Sequence, residues 1–357
     1  MKILHVVGAR PNYMKVAPIL RALSAFPDSF RQVLVHTGQH YDEKMSEVFF
    51  GDLELPSPDY NLGVGSGSHA WQTGDIMAKF EPVLEAELPD WLLVAGDVNS
   101  TLACALVAAK MGIPVAHVEA GLRSFDRTMP EEVNRVLTDQ ISSLHFTSSP
   151  EAKGHLLREG IGAEGIHFVG NTMIDSLSAL LAKAKSSPSK TLRSLEKRNF
   201  VLVTLHRPGN VDEPVRLRRI LSTLRELSGH LPVVFPAHPR TLPRLDASGG
   251  VEGLILIPPL SYLEFVAMEE RAALIITDSG GVQEESTWLG VPCLTLRPNT
   301  ERPITLTQGT NRLCEVNTLL ELALETLRQG KRPLSEPPPL WDGRAAERIA
   351  EVLLAQA

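Results

Sequence analysis

Aromatic residues are scarce in this sequence, at 5% of 357 residues. A single-stranded nucleic-acid track built from stacked aromatic side chains is therefore not expected. Basic residues are also in the minority, since 35 Lys and Arg stand against 42 Asp and Glu and give a net charge of −7. That balance disfavours general nucleic-acid binding and attachment to an anionic membrane surface. A bound anion would need positive charge concentrated locally.

Long apolar runs and paired cysteines are missing as well. No run approaches the ~20 residues of a membrane-spanning helix, and the N-terminal MKILHVVGAR continues into strand-like sequence without a signal-peptide cleavage site. Cys104, Cys293 and Cys314 are odd in number and lack the spacing of a zinc site or disulfide framework. We expect a cytoplasmic protein with reduced thiols, no bound metal and no membrane partner.

Short runs rich in Val, Ile and Leu alternate with longer helix-like stretches along the whole chain. Continuous apolar strands are typical of parallel sheets covered by helices on both faces. The chain is also long enough for two domains. The predicted strands are Ile3–Val7, Gln32–Val35, Trp91–Ala95, Val115–Val118, Leu144–Thr147, Ile166–Val169, Phe200–Leu205, Val233–Pro236, Leu254–Ile257, Ala273–Thr277 and Pro292–Leu296.

A charged, Ser-rich stretch at 183–198 marks the predicted domain boundary. We predict an α/β fold of two doubly wound, Rossmann-like domains facing a cleft, with residues 1–182 in the first and 183–342 in the second. A Pro-rich run precedes a last amphipathic helix at 343–355. The residues alone leave open whether this helix caps the second domain or returns to brace the first.

Polar motifs follow six of the predicted strands, three in each half. Open α/β sheets bind ligands at the carboxyl ends of their strands, so six such motifs predict two ligand-binding sheet edges. The spacing matches neither the dinucleotide fingerprint nor a P-loop, which argues against NAD and ATP. The motifs are HVVGAR, VAGD, HVEAG, TLHR, PAHPR and TDSGG.

In the first half, a turn after Gly8 leads into a helix expected near Asn12. Unpaired backbone N–H groups there, with the cations Arg10 and Lys15, would suit a phosphate, although an ordinary turn with solvated cations is an equal alternative. Asp97 and Glu119 end neighbouring strands and are candidates for general acid–base catalysis. Asp97 alternatively caps the following helix.

Further candidates carry charge near these strand ends. Glu131 and Arg135 stand four apart on a predicted helix, which is usually a solvated surface pair. In the second half, His206 and His238 close strands and are each followed by an arginine, a pattern that indicates an anion site.

The segment DSGGVQEE at 278–285 is the most informative motif. Asp278 or Ser279 can cap the helix, and the two glycines let an anion approach backbone amides at its positive end. Gly281 and Glu285 share a helix face, so Glu285 could accept both hydroxyls of a ribose. Glu284 points elsewhere on the same helix. A capped helix with surface acids is the alternative, and it explains the double glycine poorly.

Taken together, these motifs resemble the non-hydrolysing UDP-N-acetylglucosamine 2-epimerase family. The resemblance runs in order through nearly the whole chain, from GARPN at residue 8 to TERP at residue 300. It implies a glycosyltransferase-B type fold whose C-terminal helix, 343–357, packs back on the first domain. It also implies a UDP-N-acetylhexosamine substrate, no cofactor, a homodimer, and a role in polysaccharide biosynthesis.

The same resemblance assigns roles to individual residues. Asp97, Glu119, Glu131 and His206 correspond to catalytic residues of the family, with Asp97 or Glu131 handling the proton at C2 of the sugar. The residues implied to bind UDP and its phosphates are Arg10, Lys15, Arg135, His238, Ser279, Gly280, Gly281, Glu285 and Arg302.

The chain departs from the family pattern at three places. Gly209 stands where a Glu is frequent after the His-Arg pair, and Ile304 replaces the last Glu of TERPE. The stretch His40–Glu43, followed by Arg-free sequence to His69, argues against an activating second substrate site. A hydrolysing epimerase, a UDP-sugar glycosyltransferase of the same fold and a non-catalytic sugar-nucleotide sensor remain alternatives.

Overall fold

The computed structural model describes residues 1–39, 51–186, 190–195, 199–237, 245, 251–331 and 336–356. The chain divides into two compact units. The first comprises Met1–Ala179 and Pro339–Ala357, and the second comprises Leu180–Pro338. Each unit contains one parallel sheet with helices, as the alternation of apolar runs predicts.

The first unit is built on a seven-stranded parallel sheet in the order β3-β2-β1-β4-β5-β6-β7. The order reverses between β1 and β4, which is the point where doubly wound sheets bind ligands. Its strands are β1 Lys2–Val7, β2 Arg31–His36, β3 Tyr60–Asn61, β4 Trp91–Ala95, β5 Val115–Val118, β6 Leu144–Thr147 and β7 Ile166–Phe168. Its helices are α1 Arg10–Ser24, α2 His69–Glu87, α3 Asn99–Lys110, α4 Pro130–Ile141, α5 Pro150–Arg158 and α6 Thr172–Ser186, the last crossing into the second unit.

The second unit has a six-stranded parallel sheet in the order β10-β9-β8-β11-β12-β13, which reverses between β8 and β11. Its strands are β8 Val201–Thr204, β9 Val233–Pro236, β10 Leu254–Ile257, β11 Leu274–Thr277, β12 Cys293–Thr295 and β13 Asn311–Leu313. Its helices are α7 Lys190–Ser194, α8 Pro208–Val211, α9 Pro214–Ser228, α10 Tyr262–Arg271, α11 Gly280–Leu289, α12 Ile304–Thr307 and α13 Leu319–Gln329, and α14 Ala345–Leu354 follows in the first unit.

Apolar side chains of the central strands and covering helices form a separate core in each unit. In the first unit, Leu4 and Val94 pack with Ile76 of α2 and Ala105 of α3. In the second, a comparable cluster joins the strands to α9 and α13. Buried Cys104, Cys293 and Cys314 are free thiols, as expected. Within the described ranges, no helix is long and apolar enough to cross a membrane.

The C-terminal helix α14 packs against α1 and therefore braces the first unit, which confirms that part of the predicted fold. Asp175 of α6 caps its first turn, accepting hydrogen bonds from the backbone N–H of Ala345 at 3.1 Å and of Ala346 at 2.7 Å. Ahead of the helix, the indole of Trp341 donates to the carbonyl of Ser148 at 2.9 Å.

The Asp175 cap makes stability depend on pH. Burial raises the pKa of Asp175 to about 6, despite the two backbone N–H donors. Because the folded pKa lies above the unfolded one, the carboxyl favours folding below pH ~4, and this contribution is lost as pH rises through 6. We expect wild type to lose ~3 kcal/mol relative to Asp175→Asn between pH 4 and 7. Urea unfolding of both proteins at the two pH values measures the difference, and parallel pH profiles would contradict it.

Candidate functional site

The turn after β1 is organised by Asn12 rather than left open for an anion. Helix α1 begins at Arg10, two residues earlier than expected, with Pro11 in its first turn. The Asn12 side chain accepts from the N–H groups of Gly8 at 3.3 Å and Ala9 at 3.1 Å, and donates to the carbonyl of Ala95 at 2.7 Å. The prediction of unpaired N–H groups is thus wrong for these two, because Asn12 uses them to join β1 to β4. The Arg10 side chain lies outside the described residues.

Lys15 and Glu119 form a buried ion pair at the carboxyl edge of the first sheet. The Nζ–Oε2 distance is 2.6 Å, and each side chain is 4% exposed. Lys15 is therefore not a solvated surface cation. Gly96 leaves room for it, since a Cβ there would lie 2.7 Å from the Lys15 Nζ. Glu119 itself has φ +69°, an uncommon left-handed conformation for a residue with a side chain and one that recurs at functional sites.

Asp97 is held by Arg135 instead of capping a helix. Helix α3 has Val98 at its N-cap and no side-chain cap, so the capping alternative for Asp97 is wrong. Both Nε and Nη2 of Arg135 donate to Asp97 Oδ2, the first at 3.2 Å. Asn134 adds a bond from its amide to the Asp97 carbonyl at 2.9 Å. A one-fifth exposed carboxylate is thus fixed beside the end of β4.

The structure replaces the expected Glu131–Arg135 pair with one from the next residue. Glu131 is exposed at the start of α4, and the described residues give it no ion pair. Buried Glu132 pairs with Arg135 and accepts from the backbone N–H and the hydroxyl of Ser124, both at 2.9 Å, and from the N–H of Phe125 at 2.9 Å. Glu132 therefore connects the loop after β5 to the cation that holds Asp97, a role that the sequence analysis missed.

Replacing Glu132 by Gln is expected to lower the free energy of unfolding by ~3 kcal/mol. The amide removes the charge opposite Arg135 and replaces one of the two acceptor oxygens by an NH2 donor, which then faces the N–H of either Ser124 or Phe125. Breaking a buried pair is strongly destabilising. Glu131→Gln, one position away but exposed, is the matched control and should change stability by less than ~0.5 kcal/mol. Urea denaturation tests both, and equal effects of the two variants would contradict the assignment.

A second buried network lies behind the ends of β4 and β5. His117 Nδ1 lies 2.7 Å from Asp139 Oδ1, and its Nε2 lies 2.8 Å from the carbonyl oxygen of Gly96. Asp139 also pairs with Arg123 at 2.7 Å and accepts from the N–H of Gly121. Burial raises the pKa of Asp139, but the contacts with His117 and Arg123 outweigh it and leave the pKa lowered. The network contacts Gly96, directly before Asp97, and holds His117 and Gly121 on either side of Glu119.

In the second unit, Asp278 joins the ends of β8 and β11. Its buried carboxylate accepts from the N–H groups of His206 and Arg207, each at 3.0 Å, and from the Asn210 amide at 2.9 Å. Asp278 therefore does not cap α11. Ser279 occupies the N-cap position, and its side chain makes no capping bond. The carboxylate thus brings the exposed His206 to the edge that carries the glycine-rich turn.

Arg302 lies against the first turn of α11. A Cβ added to Gly280 would come within 2.4 Å of the Arg302 Nη1, so only glycine fits this position without displacing the guanidinium. Arg302 pairs with Glu284 through its Nε at 3.0 Å and with Glu301 through Nη1. Glu301 also pairs with Arg297 at 2.5 Å. The alternative of surface acids is wrong for Glu284, which is 1% exposed.

Glu285 has a different partner from its neighbour Glu284. It is 3% exposed and accepts a hydrogen bond from the Tyr262 hydroxyl of α10 at 2.9 Å. Gly281, like Ser279 and Gly280, is half-buried. His238 and the stretch His40–Glu43 lie outside the described residues. In the described part of the chain, no group of three His, Cys, Asp or Glu residues is placed to hold a metal ion.

The two sheet edges thus carry different chemistry. Lys15, Asp97, Glu119 and Arg135 lie at the first, two acids each held by a cation. The second carries His206, the half-buried turn at 279–281, Glu285 and Arg302. The sequence model described as UDP-N-acetylglucosamine 2-epimerase matches residues 21–354. The chain belongs to the UDP-N-acetylglucosamine 2-epimerase family.

Individual relatives agree with the family match. A Methanocaldococcus jannaschii protein named UDP-N-acetylglucosamine 2-epimerase is 44% identical over 367 residues, 99% of each chain. A Pseudomonas aeruginosa protein named UDP-2,3-diacetamido-2,3-dideoxy-D-glucuronate 2-epimerase is 41% identical over 358 residues, again 99% of each. The crystal structure of the M. jannaschii UDP-GlcNAc 2-epimerase in complex with UDP-GlcNAc and UDP superposes with a TM-score of 0.89, at 43% identity, over 99% of this chain and 100% of that one.

Proposed function

We propose that this protein is a non-hydrolysing UDP-N-acetylglucosamine 2-epimerase that interconverts UDP-N-acetylglucosamine and UDP-N-acetylmannosamine. The observation that carries the proposal is 44% identity to a 2-epimerase over 99% of both chains. Two paired acids at one sheet edge, and a glycine-rich helix N-terminus at the other, provide the groups that such a reaction needs.

The chemistry requires both sets of groups. The C2 hydrogen of the sugar is not next to a carbonyl, so its direct removal would be very slow. Breaking the C1–O bond to UDP gives C1 oxocarbenium character and acidifies C2–H. A carboxylate then takes the proton, the C–H electron pair forms the C1–C2 double bond, and UDP leaves with the C–O electrons. Return of a proton to the opposite face of C2, and attack of the UDP oxygen on C1, complete the epimerisation.

In the proposed reaction the second unit holds UDP. In the half-buried turn at 279–281, the backbone N–H groups of Gly280 and Gly281 lie at the positive end of α11 and would bind the diphosphate, whereas that of Ser279 donates to Thr277 Oγ1 at 3.0 Å. Glu285 accepts the two ribose hydroxyls, because a carboxylate can accept from both members of a diol. His206 and Arg302 lie at this sheet edge as further hydrogen-bond donors, and we assign Arg10, Lys15 and His238 to phosphate binding by family resemblance alone. Cations and N–H groups stabilise the departing diphosphate, where negative charge develops.

The first unit supplies the acid–base groups. Asp97, held by Arg135, is the stronger candidate for proton transfer at C2, because its carboxylate is both fixed and one-fifth exposed. Glu119 is almost fully buried against Lys15 and is better suited to orienting substrate than to exchanging protons with solvent. Glu131 remains the second candidate for proton transfer, on an exposed first turn of α4.

The identity of the substrate sugar has one specific alternative. The P. aeruginosa relative, at 41% identity, is named for a diacetamido-glucuronate substrate, and it shares C2 as the epimerised carbon. The two substrates differ in the groups at C3 and C6. Comparing kcat/KM for UDP-N-acetylglucosamine with that for the diacetamido-glucuronate nucleotide would distinguish them, and a ratio below one would reassign the substrate while retaining the reaction.

Incubation with UDP-N-acetylglucosamine in D₂O, followed by proton NMR, tests the reaction. We expect UDP-N-acetylmannosamine and UDP-N-acetylglucosamine in exchange, both gaining deuterium at C2, with little free UDP. Free N-acetylmannosamine accumulating with equimolar UDP would indicate a hydrolysing enzyme. Substrate that stays unlabelled while it binds would indicate a sensor.

We further propose a cytoplasmic homodimer that supplies UDP-N-acetylmannosamine for polysaccharide biosynthesis. Resemblance to the family supports these features. Light scattering coupled to size-exclusion chromatography tests the assembly, since a dimer has twice the mass of the 357-residue chain.

A further inference from the structure

His117, the histidine of the HVEAG motif, is a buried polar residue that the proposed mechanism does not use. Its side chain is 0% exposed, with Nε2 2.8 Å from the carbonyl oxygen of Gly96 and Nδ1 2.7 Å from Asp139 Oδ1. A carbonyl oxygen only accepts hydrogen bonds, and so does the Asp139 carboxylate, which also accepts from Arg123 and from the N–H of Gly121. Both ring nitrogens of His117 therefore donate.

The bond from His117 to Gly96 holds the turn that carries Asp97. The backbone bonds between β4 and β5 end where the N–H of Gly96 donates to the carbonyl of Val118 at 2.9 Å. Gly96 then adopts φ +69°, a left-handed conformation that turns the chain out of the strand. Its carbonyl oxygen accepts from the His117 ring instead of from a neighbouring strand. The side chain of His117 thus continues the attachment of β4 to β5 up to the residue before Asp97.

Asp139 holds the turn that carries Glu119. After β5 the chain passes through two left-handed residues, Glu119 at φ +69° and Gly121 at φ +78°. The N–H of Gly121 donates at 3.1 Å to Asp139 Oδ2, and the other oxygen of this carboxylate accepts from His117. One buried pair of side chains therefore contacts both turns, one residue before Asp97 and two residues after Glu119.

Helix α4 supports this pair and the Asp97 side chain from the same face. Arg135 and Asp139 stand four residues apart on α4 and are both buried, so they share a face of the helix. Arg135 donates to the Asp97 carboxylate, while Asp139 reaches the carbonyl of Gly96 through His117. The side chain of Asp97 and the backbone before it are thus both fixed from α4.

We propose that His117 is a positioning residue which, with Asp139, sets where the Asp97 and Glu119 carboxylates lie relative to C2 of the sugar. This inference rests on the proposed function, in which Asp97 transfers the C2 proton and Glu119 orients the substrate. Because His117 is fully buried, it acts through the backbone of these two acids and not on the substrate. Its loss should therefore lower turnover and leave the affinity for UDP, which the second unit holds, as it is.

Two substitutions of His117 separate its two hydrogen bonds. The amide nitrogen of glutamine reaches about as far as Nε2 of histidine, and that of asparagine about as far as Nδ1. His117→Gln therefore keeps a donor for Gly96, whereas His117→Asn keeps only the donor for Asp139. We expect His117→Asn to lower kcat ~100-fold, because a small misplacement of a catalytic group has effects of this size, and His117→Gln to stay within ~5-fold of wild type. UDP affinity should change by less than ~2-fold in both variants.

The measurement is kcat for epimerisation divided by the number of UDP sites, which calorimetric titration counts in the same sample. Unfolded protein binds no UDP and drops out of this ratio, so a merely structural role would leave kcat per site equal in all variants. Asp139→Asn provides a second comparison. Its amide oxygen can accept from Gly121 and Arg123 while its NH2 group donates to Nδ1 of His117, so kcat per site should stay within ~5-fold of wild type.

The outcomes separate this inference from the function beneath it. Equal kcat per UDP site in His117→Asn and wild type would overturn the role of His117. A ~100-fold loss in His117→Gln or in Asp139→Asn would also overturn it, even if His117→Asn fails to fold, because both variants keep the donor to Gly96. Wild-type protein that binds UDP but neither epimerises nor labels C2 in D₂O would overturn the proposed function, and this inference with it.

Discussion

Replacement of Asp97 by Asn should lower kcat for epimerisation about 10³-fold while UDP still binds normally. General acid–base groups typically contribute 10²- to 10⁴-fold, and an amide cannot accept or return the C2 proton. The geometry should survive, because Arg135 keeps its bonds to Glu132 and an Asn oxygen can still accept from Arg135. The effect should therefore appear in turnover and in C2 deuterium exchange, not in nucleotide affinity.

Two further variants make this test specific. Glu131→Gln tests the other candidate for proton transfer. Of Asp97→Asn and Glu131→Gln, the variant that loses more deuterium exchange at C2 identifies the acid that transfers the proton. Asp126→Asn replaces a carboxylate that accepts from Thr128 in the loop between β5 and α4, and should leave turnover unchanged. Normal UDP binding with normal deuterium incorporation in Asp97→Asn would remove Asp97 from the mechanism.

At the first sheet edge, the local sequence predicts the positions of the acids but not their ion-pair partners. Strand-end motifs correctly predicted that Asp97 and Glu119 follow neighbouring strands, because parallel strands end at a common edge. Their partners depend on tertiary contacts. Lys15 and Glu119 are 104 positions apart in sequence but form a buried ion pair. The alternative in which Lys15 is a solvated cation is therefore wrong.

Glu132 shows a choice that helical periodicity cannot make. Buried residues stand three, four and seven positions after Glu132, at Arg135, Val136 and Asp139, but also three, four and seven positions after Glu131. Glu132 is the buried acid because it accepts from Ser124 and Phe125 in the loop after β5, a tertiary contact that the local sequence does not encode.

The eleven predicted strands coincide with β1, β2 and β4 through β12, while β3 and β13 were missed. The missed strands have two and three residues and lie at sheet edges, where partly polar sequence such as Tyr60–Asn61 gives no apolar run. Central strands are buried on both faces, so their sequences are continuously apolar and can be recognised. These two short edge strands are half-exposed and lack that signal. The reversal points between β1 and β4 and between β8 and β11 are likewise products of topology, which no single motif encodes.

Replacement of Gly280 by Val should weaken UDP binding ~100-fold, about 2.7 kcal/mol. A Cβ at this position would lie 2.4 Å from the Arg302 Nη1 and 3.0 Å from Glu301 Oε1, and the guanidinium cannot move freely because Glu284 and Glu301 hold it. The branched side chain would also cover backbone N–H groups at the start of α11, where we place the diphosphate. Gly280→Ala should give an intermediate loss, since it adds only the Cβ.

The matched control is Gly209→Ala in α8 of the same unit, where an added Cβ meets nothing within 4 Å. UDP affinity should be unchanged there, and stability should rise slightly because alanine loses less backbone entropy in a helix. Calorimetric titration with UDP, together with urea unfolding, separates lost binding from lost folding. If Gly280→Val bound UDP as tightly as Gly209→Ala, the diphosphate would not lie over this turn, because no anion could approach the N–H groups past a valine.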